Sequence, residues 1–162
     1  MTKSHTGRLA GQEDSPELIA MINEAFAIEE FLEGTRTDEV RLQEMMGTGK
    51  FLLAEDDHHR VMASVYVELR GSRAYLGMLA VAREHQGNGL GRIMVEAAEK
   101  YCREQGCTAM DLTVLSLRPD LPPFYRKLGY AEVRTEDFIP SRRLKDGMQC
   151  HAIVMSKQFQ GA

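Results

Sequence analysis

Tyr75-Leu-Gly-Met-Leu-Ala-Val-Ala-Arg-Glu-His-Gln86-Gly-Asn-Gly-Leu-Gly91-Arg-Ile-Met-Val-Glu-Ala-Ala-Glu99 reads as a buried strand, a glycine-rich turn and an amphipathic helix. Residues 75–82 are mostly apolar and too few for a long helix, which suits a strand inside a sheet. Leu90, Ile93, Met94, Ala97, Ala98 and Tyr101 then recur at helical spacing, with Arg92, Glu96, Glu99, Lys100 and Arg103 on the other side. Gly106 stands where a glycine just past the last turn ends a helix. Residues 86–91 therefore lie where a strand hands over to a helix N-terminus.

The first amides of a helix have no partner within it, and the helix dipole favours negative charge there. Gly87, Gly89 and Gly91 carry no β-carbon, so a phosphate can approach that backbone closely. No Lys-Ser or Lys-Thr follows, which excludes the nucleoside-triphosphate P-loop. No acid is obviously placed to hold a ribose in the dinucleotide manner. The glycines alone are also compatible with a tight turn that binds nothing.

The spacing Gln86-x-x-Gly89-x-Gly91, behind a strand ending Leu79-Ala80-Val81-Ala82, closely resembles the acetyl-coenzyme A signature of the GNAT N-acetyltransferases. Pro123-Phe-Tyr125-Arg-Lys-Leu-Gly129-Tyr130 resembles that family's second motif, in family order and one helix and one strand further on. The close match covers residues 73–131. It implies a mixed α/β fold whose central sheet has two parallel strands that splay apart, here residues 75–82 and 109–117, with helices on both faces. It also implies acetyl-coenzyme A as cosubstrate, with no metal. Gln86, Gly87, Asn88, Gly89, Leu90, Gly91 and Arg92 would hold its pyrophosphate, and the amides of Leu79, Ala80 and Val81 would meet the thioester oxygen. Tyr125 takes the family's general-acid position. Arg118 stands where many relatives have asparagine, so it can face a coenzyme phosphate, an anionic substrate group or a surface carboxylate. Thr113 replaces an acid that some relatives carry. Dimerisation through the last strand or a sheet edge follows family habit.

Composition narrows the partners. The chain has 162 residues, enough for one domain over 1–162 with a loose polar tail at 1–7. Its net charge of −4 argues against nucleic acid as the main partner. No apolar run is long enough to span a membrane, and residues 1–11 are too polar for a signal peptide, so the expected setting is cytoplasmic. Cys102, Cys107 and Cys150 have no zinc or redox spacing and read as reduced thiols. His58 and His59, after Asp56-Asp57, read as a solvated hairpin tip.

Taken in order, a short strand is expected at 9–11 and a helix from Ser15-Pro16-Glu17, with the serine as N-cap. A second helix is expected at 37–46 and a hairpin of 51–55 with 61–69. In its second strand Val61, Ala63, Val65, Val67 and Leu69 share one face, and Met62, Ser64, Tyr66 and Glu68 the other. After the long helix come a strand at 109–117, a short helix at 119–128, strands at 130–133 and 149–156, and between those two a basic loop at 139–147.

Acetyl transfer to an amine needs a base for the amine, a site for the carbonyl oxygen and a donor to the departing sulfur. A phenol near pKa 10 is a weaker acid than a thiol near 8.5, so full proton transfer from Tyr125 is uphill by roughly 2 kcal/mol. Tyr125 therefore reads chiefly as a hydrogen-bond donor to sulfur. Glu68 is the candidate base, facing the cleft beside the central strand, directly or through a water. The acids at 29–33, where the family has its substrate lid, favour a cationic amine, whereas Arg142, Arg143 and Lys145 favour an anionic partner. The function expected is direct transfer of acetyl from acetyl-coenzyme A to a primary amine of a small molecule, peptide or protein. The alternative is a non-catalytic acetyl-coenzyme A sensor or regulatory module.

Overall fold

The computed structural model describes residues 5–138 and 143–160. Its elements are β1 (His5–Leu9), α1 (Ser15–Ala25), α2 (Glu39–Thr48), β2 (Lys50–Glu55), β3 (Val61–Arg70), β4 (Arg73–Val81), α3 (Leu90–Glu104), β5 (Ala109–Leu115), α4 (Leu121–Lys127), β6 (Ala131–Asp137) and β7 (His151–Gln158). The strands form one sheet in the order β1-β2-β3-β4-β5-β7-β6. Among the described residues only β4 and β5 are parallel neighbours, joined by α3 as the crossover that a parallel pair requires. The mixed sheet with helices on both faces is as expected.

Period-2 alternation feeds two cores. On one face Leu18, Ile22 and Leu42 of α1 and α2 pack on Phe51, Leu53 and Tyr66. On the other, Met94, Val95, Ala98 and Cys102 of α3 pack on Val65, Val67, Leu76 and Leu112. Among the described residues no helix is long and apolar enough to cross a membrane.

What positions the site is the way β4 leaves β5. Their pairing runs from Arg73↔Ala109 to Leu76↔Leu112 and stops, although β4 continues to Val81 and β5 to Leu115. The cause lies across the other edge of β4. Ser64 pairs Ala80 but Tyr66 pairs Gly77, so three steps on β4 answer two on β3. This bulge places Met78 at φ +53, in the left-handed region that a side chain rarely adopts, and bends β4 away from β5. At the closed end Arg73 donates to both oxygens of Asp111 (2.8 and 2.6 Å), and the Ser156 hydroxyl also donates to Asp111. That cluster ties β4, β5 and β7 together at the foot of the gap.

Several local expectations change. The first strand starts at His5 rather than Leu9, so part of the expected tail at 1–7 belongs to the sheet, and residues 1–4 lie outside the described residues. Ser15 does not cap α1; its hydroxyl accepts from Gln43 Nε2 instead (3.1 Å). β6 runs on to Asp137, past the expected stop at 133, because β7 pairs along it as far as His151. A register shift opposite Ala54 and Glu55 turns Val61 toward α1 and Met62 toward α3, reversing the faces expected for both. Glu99, expected on the solvent side of α3, is buried: Tyr130 Oη donates to it (2.9 Å) and Lys157 Nζ pairs with it (3.0 Å).

Ser64 is fully buried, and its hydroxyl is the one enclosed side-chain polar atom among the described residues without a hydrogen-bond partner. An unsatisfied buried hydroxyl costs roughly 1–3 kcal/mol. Ser64→Ala should therefore raise the denaturant midpoint, by an amount equivalent to about 1 kcal/mol. A loss of stability would show that the hydroxyl is satisfied after all.

Candidate active site

The turn after β4 delivers its amides to one place. Gly87 and Gly89 have φ +85 and +77, a conformation that side chains resist, and a β-carbon on either would project into open space. Gly89 precedes α3 without any side-chain cap. The first helical hydrogen bond runs from Ile93 N–H to Gly89 O (3.2 Å), which leaves the amides of Leu90, Gly91 and Arg92 without helical partners. No acid lies in that first turn to compete for them. Gln86 folds back, its Nε2 donating to Val81 O (3.0 Å), so its side chain braces the turn against the end of β4. Gly91 answers a different need: a β-carbon there would come 3.4 Å from the Phe124 ring, so its bareness lets α4 close on α3.

These amides open on a groove of about 820 Å³ lined by Leu79, Ala80, Val81, Gln86, Gly87, Gly89, Leu90, Gly91 and Arg92, with Phe124 from α4. Asn88 is the one residue of the turn outside that lining. Arg83 and Arg92 also border it, each with only an exposed carboxylate nearby (Glu24 at 3.7 Å, Glu96 at 3.4 Å). Such exposed pairs hold weakly and yield to a stronger anion.

A second cavity, of about 480 Å³, lies in the gap between β4 and β5. Gly77, Met78 and Thr113 line it from the strands, Tyr125 from α4, and Phe26 and Leu32 from the connection between α1 and α2. The two cavities share Phe26, Leu79, Arg118 and Leu121, so they meet beside the bulge.

Tyr125 is 5% exposed, held edge-on between the rings of Phe124 and Tyr130. Its hydroxyl has no hydrogen-bond partner among the described residues, yet it is not an enclosed atom, so it is reached from the cleft. Burial pushes its pKa well above the ordinary tyrosine value, against an opposing pull from the charge of Arg118. The phenol therefore keeps its proton throughout the neutral range.

Glu68 lines neither cavity. Its carboxylate accepts from Arg70 Nε (3.0 Å) and Tyr66 Oη (2.9 Å), and the Arg70 hydrogen bond is the main cause of a pKa below the usual carboxylate value. Arg118 borders both cavities, but its guanidinium is engaged by two carboxylates. Nη1 donates to buried Glu29 (2.9 Å), and Nε and Nη2 donate to Asp120 (3.1 and 3.0 Å). Burial works against its charge, and the two acids more than offset that, holding its pKa above the ordinary value. Arg118 thus holds two carboxylates, one of them buried where the sequence suggested a surface one.

The opposed charge signals also meet. Glu33 N–H donates to Arg143 O (2.7 Å), Lys145 N–H donates to Phe31 O (3.0 Å), and Leu32 pairs with Leu144. The acidic and basic segments thus join in one wall beside the cleft. Arg142, counted with the basic segment, lies outside the described residues. Sequence reasoning missed Phe26, Leu121 and the 136–138 stretch as cleft walls, because they sit at element ends far apart in the chain and nothing local says that they meet.

A profile of the acetyltransferase (GNAT) family matches residues 17–130. The chain belongs to the GNAT acetyltransferase family. An uncharacterised N-acetyltransferase of Chlorobaculum tepidum is 34% identical over 77 residues, 48% of this chain and 46% of that protein, so the match spans about half of each. The GNAT fold is shared along nearly the whole chain with solved structures. The Escherichia coli ribosomal-protein-S18-alanine N-acetyltransferase superposes with a TM-score of 0.77 at 18% identity, covering 100% of this chain and 96% of that one. A ribosomal-protein-alanine N-acetyltransferase of Brucella melitensis gives 0.75 at 21%, covering 94% and 98%. Nourseothricin acetyltransferase gives 0.72 at 19%, covering 97% and 98%. At these identities the likeness carries the GNAT fold and not the acceptor.

Proposed function

We propose that this GNAT protein is an enzyme that transfers acetyl from acetyl-coenzyme A directly to a primary amine. The observation that carries the reading is the meeting of two cavities at the β4 bulge, one floored by uncapped helix amides and the other reached by the Tyr125 hydroxyl. The amides of Leu90, Gly91 and Arg92 suit a pyrophosphate, and Leu79, Ala80 and Val81 line the path from it to the cleft. Backbone N–H groups along that stretch would stabilise the carbonyl oxygen as it gains charge.

In this reading an ammonium gives up two protons overall. A nitrogen–carbon bond forms as the carbon–sulfur bond breaks; one proton ends on sulfur and the other in solvent. Tyr125 donates a hydrogen bond to the sulfur as charge collects there. A covalent relay through Cys102 or Cys107 is unsupported: burial pushes the Cys102 thiol up to about 12 and also raises that of Cys107, so neither offers a thiolate. A binding module has no use for a buried phenol held without a partner at the end of a cleft, and this favours catalysis over sensing. The reading takes residues 1–162 as one catalytic unit, which the single sheet supports, and a cytoplasmic setting, which the free cysteines suit.

Calorimetry with coenzyme A should give saturable one-to-one binding. Gly89→Val should weaken it about tenfold or more, because a branched side chain resists the left-handed conformation that aims the amides. Absence of binding by the unaltered protein would end the transferase reading.

A further inference from the structure

We propose that Asp137, at the end of β6, receives the ammonium group of the acceptor, and that the acceptor is a compact primary amine on an apolar body without a carboxylate. This rests on the transfer reaction proposed above and specifies its second substrate.

Three acids line the acceptor cleft: Glu29, Glu136 and Asp137. Glu29 is committed to Arg118 (2.9 Å), and Glu136 accepts from Arg134 Nε (2.7 Å). The backbone of Asp137 pairs with His151 in the ladder, but its carboxylate has neither a hydrogen bond nor an ion pair among the described residues. It shares the cleft with the Tyr125 hydroxyl, which is likewise unpartnered on a side chain more than nine-tenths buried. One wall thus holds an acceptor-only group for a cation, and another holds the donor for the sulfur.

The cations of the cleft point the same way. Arg118 is held by two carboxylates, and Arg36 lies over the Phe26 ring at 5.3 Å. A carboxylate on the acceptor would be repelled by Asp137, and Arg118, which borders both cavities, already carries two carboxylates. Much of the remaining wall is Phe26, Leu32, Met45, Leu115 and Phe138, which favours an apolar body behind the amine. The joined segments at Leu32 and Leu144 close one side, and a cavity of about 480 Å³ suits a small molecule rather than a folded surface. Acetylation turns the ammonium into a neutral amide, so the attraction that draws substrate in is absent for the product.

The test uses 2-phenylethylamine, phenylalanine and an alanine-terminated hexapeptide as acceptors, with thiol release as the readout and coenzyme A calorimetry alongside. Phenylethylamine should give kcat/KM about tenfold or more above the other two, since its ammonium meets Asp137 without a carboxylate to repel. Asp137→Asn should raise its KM about tenfold, with kcat and coenzyme affinity little changed, and Asp137→Glu should restore much of the loss. Preference for phenylalanine or the hexapeptide would overturn the proposal, as would an unchanged KM in Asp137→Asn. Coenzyme binding without transfer to any of the three would overturn it too. Failure of coenzyme A to bind at all is a different result and removes the transferase reading itself.

Discussion

Replacing Tyr125 with phenylalanine is expected to lower kcat for acetyl transfer about 100-fold while leaving coenzyme affinity within about twofold. The ring fills its place between Phe124 and Tyr130 whether or not it bears oxygen, so the variant keeps its packing. What disappears is one hydrogen-bond donor in the cavity between β4 and β5. Such a donor matters when sulfur carries charge and little before, so its loss falls on kcat rather than on binding. The raised pKa of Tyr125 adds a second mark: loss of its own proton cannot produce a fall in activity at mildly alkaline pH. If kcat is unchanged in Tyr125→Phe, the tyrosine is packing alone. If coenzyme affinity falls in step with kcat, the variant has disturbed the groove.

The largest effect on stability is expected at Glu99. Its carboxylate accepts from the Tyr130 hydroxyl and pairs with Lys157, joining α3 to the segment after α4 and to β7. Lys157 also lies 5.7 Å from the Tyr130 ring. Glu99→Ala leaves a buried phenol and a partly buried ammonium without their shared acceptor. Removing one member of such a cluster costs about 3 kcal/mol, worth roughly 10 °C in melting temperature for a chain of this size. Glu99→Gln, which keeps an acceptor but not the charge, should lose less. Equal losses in the two variants would assign the effect to packing, and no loss in either would show that the cluster contributes nothing.

Glu99 also shows where sequence reading reaches its limit. On a helical wheel it falls among Arg92, Glu96 and Arg103, and nothing local says that Tyr130 and Lys157 arrive beside it. The strand–turn–helix from β4 to α3 was legible because everything it needs is adjacent in the chain: an apolar run, glycines and a 3.6-residue stripe. The motif around Tyr125 was legible for the same reason. Bulges were not, and that matters for Val61, Met62 and Met78, since one extra residue reverses every side chain beyond it. The cleft walls at Phe26 and Phe138 were invisible because the α1–α2 and β6–β7 connections meet only once the sheet exists. Arg118 had its residue type in view and its partners hidden: Glu29 is 89 positions away.

The strand order has a consequence for how the chain is made. β7 lies between β5 and β6, and β6 has no other neighbour in the sheet. While the polypeptide emerges from the ribosome, β2 to β4 can zip by successive hairpins and β1 can add to β2, but β5 keeps one bare edge until the latest strand is released. A nascent chain stalled before residue 151 would therefore expose two unsatisfied ladders, an invitation to pair with a neighbouring molecule.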